Sequence, residues 1–529
     1  MILIRLFILL AFLGVLLSIF YYWSQNKFDY WKKRNVPHLQ PTPLFGNYKE
    51  YILLKNFITD VVNGICETFP KEPYIGAFVG TEPTLIVKDP DYIKLILSKD
   101  FYYFNSREIA EHSHREVLTT NLFFAGGDRW KVLRQNVTPL FSLAKMKKMF
   151  YLIEECSDNL DKVLFDLSKE PSVEVRALMS RFTIDCIGSC AFGVNTNAMK
   201  LDESSNPFVE IGQKIFEASN VRGLKVVSRV IWPSIFYNLG FKAFPSEIPE
   251  FFSKLLTNVF EQRQYKKSGR HDFVDLVLGL RADKVLTGDS ISNLKGEKKK
   301  ITLEVDHDLL TAQCMLFFAA GFETSATTLS FMLFEMAKNP EIQKRVLDEV
   351  DDYFSKNNKL SYECVSETPL LDACINETLR LYPVVGVLTR ELVEDYKLPS
   401  GVLLNKGMRI HIPVQHLQRN SEYFPDPDVF RPERFMGDEK ENIKPFTYLP
   451  FGEGPRTCIG MRFAKMQITA GLLTILRKIR VELAPDTHMT VELEPRALTT
   501  QPKHGINLKF VPREITYEVI NFTHNYIKT

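Results

Sequence analysis

The chain has 529 residues, 45% hydrophobic, 12% aromatic and 25% charged. Those proportions exclude a disordered, collagen-like or coiled-coil chain and fit a globular enzyme. With 66 Lys and Arg against 64 Asp and Glu the formal net charge is +2, which excludes nucleic acid as a partner on bulk charge.

Ile2–Trp23 is mainly apolar and carries a single charge, Arg5. At about 1.5 Å per residue it is long enough to span a bilayer core. Tyr21, Tyr22 and Trp23 close it with rings suited to a membrane interface, and Lys27, Lys32, Lys33 and Arg34 follow. That basic excess over Arg5 places the downstream chain on the cytoplasmic side. A cleaved signal peptide would show a shorter apolar region and a small-residue cleavage site. Residues 1–23 therefore read as a single transmembrane anchor. Residues 24–49 read as a basic, proline-rich linker, in which Pro37, Pro41 and Pro43, with Gly46 just after, form a stiff, non-helical link.

At about 150 residues per domain, length alone allows about three or four domains. No Gly/Ser-rich linker follows residue 50 and no internal repeat is visible, so residues 50–529 read as one mainly α domain with small β-sheets. Strand-like runs occur at Tyr74–Val79, Thr84–Val87 and Met408–Val414. The longest helix spans Asp306–Lys338 and is stopped by Asn339-Pro340. It is apolar on nearly every face and should run through the interior. The charge-rich stretch Lys295–Lys300 just before it reads as a solvated loop. The eight cysteines show no C-x-x-C pair, which fits a reducing compartment, and the sequons at Asn136, Asn376 and Asn521 are expected to be unused there.

The stretch Phe451-Gly-Glu-Gly454-Pro-Arg456-Thr-Cys458-Ile-Gly460 carries the chemistry. Its glycines allow a tight backbone, and an amphipathic run begins at Met461. A cysteine ahead of a helix meets the positive end of the dipole, and Arg456 adds a nearby charge; both favour thiolate. Such a thiolate suits an axial ligand to haem iron.

With F-x-x-G-x-R-x-C-x-G complete, the chain resembles a cytochrome P450 along nearly its whole length. It is most similar to the insect microsomal members concerned with detoxification and hormone metabolism. The resemblance implies haem b with Cys458 as its axial thiolate and Phe451 beside it. Ala320-Gly321-Phe322-Glu323-Thr324 resembles the family's oxygen-activation motif. Its small pair lets a helix bend and a diatomic ligand approach, while Thr324 and Glu323 supply protons. Glu377 and Arg380, at i and i+3 on one helix face, resemble two members of the family's buried structural triad, with Arg434 from Pro432-Glu433-Arg434-Phe435 as the third. Trp130 and Arg134, one helical turn apart, correspond to the residues that bind a haem propionate. Arg456, Arg390 and Arg107 are the further propionate candidates.

The family's substrate-contacting segments map to roughly 105–125, 208–245, 310–324, 384–389 and 498–503. Their candidate contacts Phe123, Phe124, Phe216, Phe317, Val384, Val385, Val387 and Leu388 are apolar and imply a lipophilic small-molecule substrate. The aromatic-rich run from Ile231 to Phe241, with Phe244 close behind, is expected to dip into a bilayer. The chain has no G-x-G-x-x-G fingerprint and no flavin domain. The resemblance therefore implies electrons from NADPH through a membrane-bound NADPH–cytochrome P450 reductase, with cytochrome b5 as an optional second donor. Lys131, Lys145, Lys147, Lys148 and Lys465 are candidate docking cations. The implied localisation is the endoplasmic reticulum membrane, with the catalytic domain facing the cytosol. The alternatives are a haem-thiolate isomerase or dehydratase acting on a peroxide, and a non-catalytic haem-containing binding protein.

Overall fold

In a computed structural model of the chain, residues 2–201, 205–270 and 272–514 are described. Asn521 and the C-terminal end of the expected domain, 515–529, lie outside them.

The first helix, α1 (Ile2–Lys32), runs nine residues past Trp23, so the basic start of the expected linker continues the helix. Its apolar half leaves Leu3, Phe7, Phe12, Val15 and Ile19 exposed. Its last turns dock on the body. Trp31 is fully buried, and its indole N–H donates to the Ala77 carbonyl at 2.9 Å. Pro37, Pro41 and Pro43 then follow in non-helical backbone.

The three strand-like runs, with Leu388–Glu391, which the sequence reading did not mark as a strand, form a four-stranded sheet of β1 (Tyr74–Val79), β2 (Glu82–Val87), β3 (Leu388–Glu391) and β4 (Arg409–Ile412), ordered β1-β2-β4-β3. β1 and β2 pair antiparallel, β2 and β4 parallel, and β4 and β3 antiparallel with Arg390 opposite Ile410. Smaller sheets join Val173–Glu174 to Ile479–Leu483 and Asn507–Pro512, and Val285–Asp289 to Lys300–Glu304.

Helices make up most of the rest. Those that position the site are α2 (Gly127–Val137), α3 (Leu143–Leu167), α4 (Val175–Ile187), α5 (Asn220–Ile231), α6 (His307–Lys338), α7 (Pro369–Leu381) and α8 (Met461–Lys478). Asp306 caps α6 by accepting from Leu309 N–H at 2.7 Å, and Asn339-Pro340 ends it. Among the described residues α6 is the helix long and apolar enough to cross a membrane, and 78% of its apolar window is buried inside the body. It is the central core helix, packed on α4 and α8. Each fully buried phenylalanine on it, such as Phe318 and Phe331, contributes on the order of 1.5–3 kcal/mol of hydrophobic stabilisation.

Candidate functional site

The Cys458 loop is built by its glycines. Gly454 has φ +71°, and a Cβ there would lie 1.9 Å from the Leu97 carbonyl oxygen, so neither the conformation nor the space admits a side chain. The loop closes when Cys458 N–H donates to the Phe451 carbonyl at 2.8 Å. All eight cysteines are free, and Cys458 is the exposed one. Burial of its surroundings still pushes the thiol above its ordinary range, against the Gly460 N–H, Arg134 and Arg107, which pull it down. The expected pre-formed thiolate is thus outweighed by desolvation, and ionisation would accompany metal coordination. Arg456 does not turn toward the sulfur. It donates to the carbonyls of Asn105 (2.6 Å) and Ala125 (2.5 Å) and stacks on Trp130 at 4.6 Å.

Four arginines gather around this loop from separate elements: Arg107 from the segment after β2, Arg134 from α2, Arg390 from β3 and Arg456 from the loop itself. Burial first, and then the other arginines, hold Arg456 well below its ordinary range and Arg390 down to about 9. Burial likewise brings Arg107 down to about 10, with Cys458 opposing and Arg134 reinforcing. Arg390 and Arg456 are buried, and Arg390 Nε has no partner. Among the described residues none of the four pairs with a carboxylate. Buried cations without counter-charge are costly. The donor set is therefore one that a group with two carboxylates and a thiolate-binding metal would complete. Haem fits it.

The oxygen-activation segment lies mid-way along α6, which runs through it as unbroken α-helix. Ala320 is exposed although nearly all its neighbours on α6 are buried. Gly321 meets Ile187 on α4, where a Cβ would come within 2.5 Å of its Cδ1, and its carbonyl accepts from Gln467 Nε2 at 2.7 Å. Thr324 Oγ1 donates back to the Ala320 carbonyl at 2.7 Å. Glu323 is buried on a different face, paired with Arg176 and accepting from Gln501 Nε2 at 3.0 Å. Acid and hydroxyl are adjacent in sequence, but successive helical residues point about 100° apart, and the structure does not join them.

The triad is assembled. Arg380 grips Glu377 bidentately at 2.7 and 2.8 Å, Arg434 Nε reaches it at 3.3 Å, and all three side chains are buried. Gln418, which the sequence did not single out, extends the cluster. It accepts from Leu449 N–H at 2.8 Å and donates to the Leu379 and Arg380 carbonyls, while Tyr448 donates to the Asn376 carbonyl. The triad is thereby tied to the segment leading into Phe451 and Cys458. The same packing buries Asn376, whose amide bonds Asp372.

The candidate substrate contacts divide. Phe123 is 43% exposed under the Arg107 guanidinium (4.0 Å), Phe124 lies beneath Arg229 (5.6 Å), and Phe216 meets Phe322 edge-on at 5.6 Å. Val385 is exposed and Leu388 half-buried, but Val384 and Val387 are buried in the core clusters. Phe317 is a core residue, held between Phe141 (5.6 Å) and Phe273 (4.2 Å). Of the candidate docking cations, Lys147 pairs with Glu363, Lys465 with Asp372, and Lys131 donates to the Ser290 carbonyl. A cavity of about 290 Å³ lies elsewhere, where Tyr30 meets β2 and β4, and holds none of the site residues.

The family model described as "Cytochrome P450" matches residues 36–510. The chain is 36% identical to "Cytochrome P450 6B2" of Helicoverpa armigera, covering 95% of this chain and 98% of that one. It is 35% identical to "Cytochrome P450 6B1" of Papilio polyxenes, covering 96% and 99%, and 33% identical to "Cytochrome P450 6k1" of Blattella germanica, covering 95% and 96%. A family model over nearly the whole body, full-length insect relatives and a cysteine loop ringed by arginines lead to one conclusion: the chain belongs to the cytochrome P450 family and is a haem monooxygenase.

Proposed function

We propose that this enzyme is held in the endoplasmic reticulum membrane by Ile2–Trp23, draws electrons from NADPH through a separate reductase, and inserts one oxygen atom into a lipophilic small molecule. The observation that carries the reading is the exposed Cys458 thiol among four arginines that have no carboxylate partner among the described residues. Haem bound there supplies the redox chemistry of oxygen activation.

Cys458 would supply the sulfur ligand to the iron. Trp130, Arg134, Arg390, Arg456 and Arg107 would form the cradle for the propionates, whose two charges would offset half of the charge of the four arginines. Haem with both propionates esterified should accordingly bind the apoprotein at least about 100-fold more weakly, because two charge-assisted contacts of about 1.5–3 kcal/mol each are lost. Equal affinity for the ester, read by titration of the Soret band, would refute the cradle.

Thr324 holds a proton at Oγ1, and the Ala320 carbonyl keeps it in place until a stronger acceptor arrives. Glu323 would exchange protons with it only after leaving Arg176. Replacing Thr324 by Ala should lower reductase-supported product formation by about 100-fold while NADPH consumption continues. The assay is oxidation of a lipophilic probe under isotopically heavy oxygen gas, with one labelled atom expected in the product. Unchanged yield from Thr324→Ala, or unlabelled product, counts against the reading.

The lipid side is marked by exposed apolar residues on α1 and by Trp232, Ile235, Leu239 and Phe241, all exposed. Phe236, part of the same aromatic run, is instead buried, packed against Tyr237 and beneath the exposed Phe241. With residues 2–23 deleted, Ile235→Glu together with Leu239→Glu should release the protein from vesicles; retention on them would count against membrane contact here.

A further inference from the structure

The turn of α6 that carries Thr324 presents three faces, because successive helical residues point about 100° apart. One face holds Ala320, exposed, and Thr324, half-buried, whose Oγ1 donates to the Ala320 carbonyl. A second sends Glu323 to Arg176 and Gln501. The third holds Gly321 and Ser325, and a single side chain takes both. Gln467 Nε2 donates to the Gly321 carbonyl at 2.7 Å and to Ser325 Oγ. Gln467 and Ser325 are both buried. Gln467 lies on α8, the helix that leaves the Cys458 loop at Met461. The helix behind the cysteine therefore reaches the oxygen-activation segment through one amide.

The orientation of that amide follows from its partner. A carbonyl only accepts, so the nitrogen must face Gly321 and Oε1 must face away. Oε1 then meets no donor among the described residues, although it is buried. A bare buried oxygen is unfavourable, and what offsets it is the pair of bonds made to one turn of α6. From the opposite side α4 presses on the same residue, since a Cβ on Gly321 would come within 2.5 Å of Ile187 Cδ1. Gly321 is thus clamped between α4 and α8. A helix carbonyl released from such a grip can tilt outward and bend the helix. Thr324 Oγ1, which hangs on the neighbouring carbonyl, would move with it.

We propose that Gln467 is a positioning residue for the monooxygenase reaction: by holding the Gly321 carbonyl it keeps α6 regular through Ala320–Thr324, and so sets the share of NADPH electrons that end in product. The proposal rests on the reading of Thr324 as the holder of a proton. Electrons diverted from product leave as hydrogen peroxide. One NADPH and one solvent proton then reduce one O2 to one H2O2, and NADP+ is released.

The test uses the full-length haem-loaded protein with NADPH and flavoprotein reductase, reading product, NADPH consumed and peroxide released. Gln467→Met keeps the length of the side chain and removes its donors. Product per NADPH should fall about tenfold, the scale of losing two buried hydrogen bonds, with a matching rise in peroxide. Gln467→Asn keeps an amide that falls one methylene short. It should uncouple in the same way, and it decides the matter if the methionine variant does not fold. Ser325→Ala leaves the Gly321 bond and should stay near wild type. In a Thr324→Ala background Gln467→Met should add nothing, whereas a merely structural loss would add. Independently of turnover, deuterium exchange at the Phe322–Ser325 amides should quicken about tenfold in Gln467→Met. Wild-type coupling in the Gln467 variants overturns the proposal, as does unchanged exchange, equal uncoupling by Ser325→Ala, or an effect that adds fully to that of Thr324→Ala. If Thr324→Ala alone stays coupled, the reading of Thr324 falls and the proposal falls with it.

Discussion

Cys458→Ser should leave a folded protein that has lost reductase-supported oxidation by at least about 100-fold. The substitution is nearly isosteric. The loop is held by backbone geometry at Gly454 and by Cys458 N–H on the Phe451 carbonyl, neither of which involves the sulfur. What changes is the ligand: a serine hydroxyl does not provide a soft, electron-rich thiolate to iron. Even residues that merely support a metal ligand typically cost 10–100-fold in affinity or activity, so loss of the ligand itself should cost no less. Product formation and far-ultraviolet circular dichroism check the two halves of the prediction. Retained turnover would show that Cys458 is not the ligand, whereas loss of helical signal would show a structural role.

Glu377→Gln should have the largest effect on stability. Glu377 is fully buried and receives Arg380 twice, Arg434 once and Arg431 N–H at 2.9 Å. The amide removes the negative charge and leaves two buried guanidinium groups without their counter-ion. Breaking such a pair costs about 3–5 kcal/mol, where replacing it wholesale by apolar residues would cost less. Because Gln418 ties the cluster to Leu449, and Tyr448 donates to Asn376, the loss should spread toward the cysteine loop and lower haem content as well. Urea unfolding and haem quantitation read both effects; an unchanged unfolding midpoint would mean that the triad is not under load.

What was legible in the sequence was local. The glycines and cysteine of 451–460, the i, i+3 pair Glu377–Arg380, the limits of α6 and the three strand runs are each set by spacing within a few residues. The contacts that depend on which face meets which neighbour were not. Phe317 and Phe236 carry the same apolar signal whether they line a pocket or fill a core, and packing against Phe273 and Tyr237 decides for the core. Glu323 and Thr324 look like a working pair until Arg176, far away in the chain, claims the acid. Gln467, Gln418 and Gln501 matter through partners more than thirty residues away. A lone buried glutamine gives no periodic signal. The hairpin before α6 was hidden by its own lysines, whose charge reads as solvated whether or not the backbone beneath is docked. At the N-terminus, the proline cluster marked a real break, but α1 continued to Lys32 because Trp31 gains burial against β1.

The absorption spectrum of the reduced, carbon monoxide-bound protein tests Cys458 as the axial ligand most directly. Thiolate ligation predicts a strongly red-shifted Soret band that disappears in Cys458→Ser; a wild-type band at the wavelength of a histidine-ligated globin would contradict it.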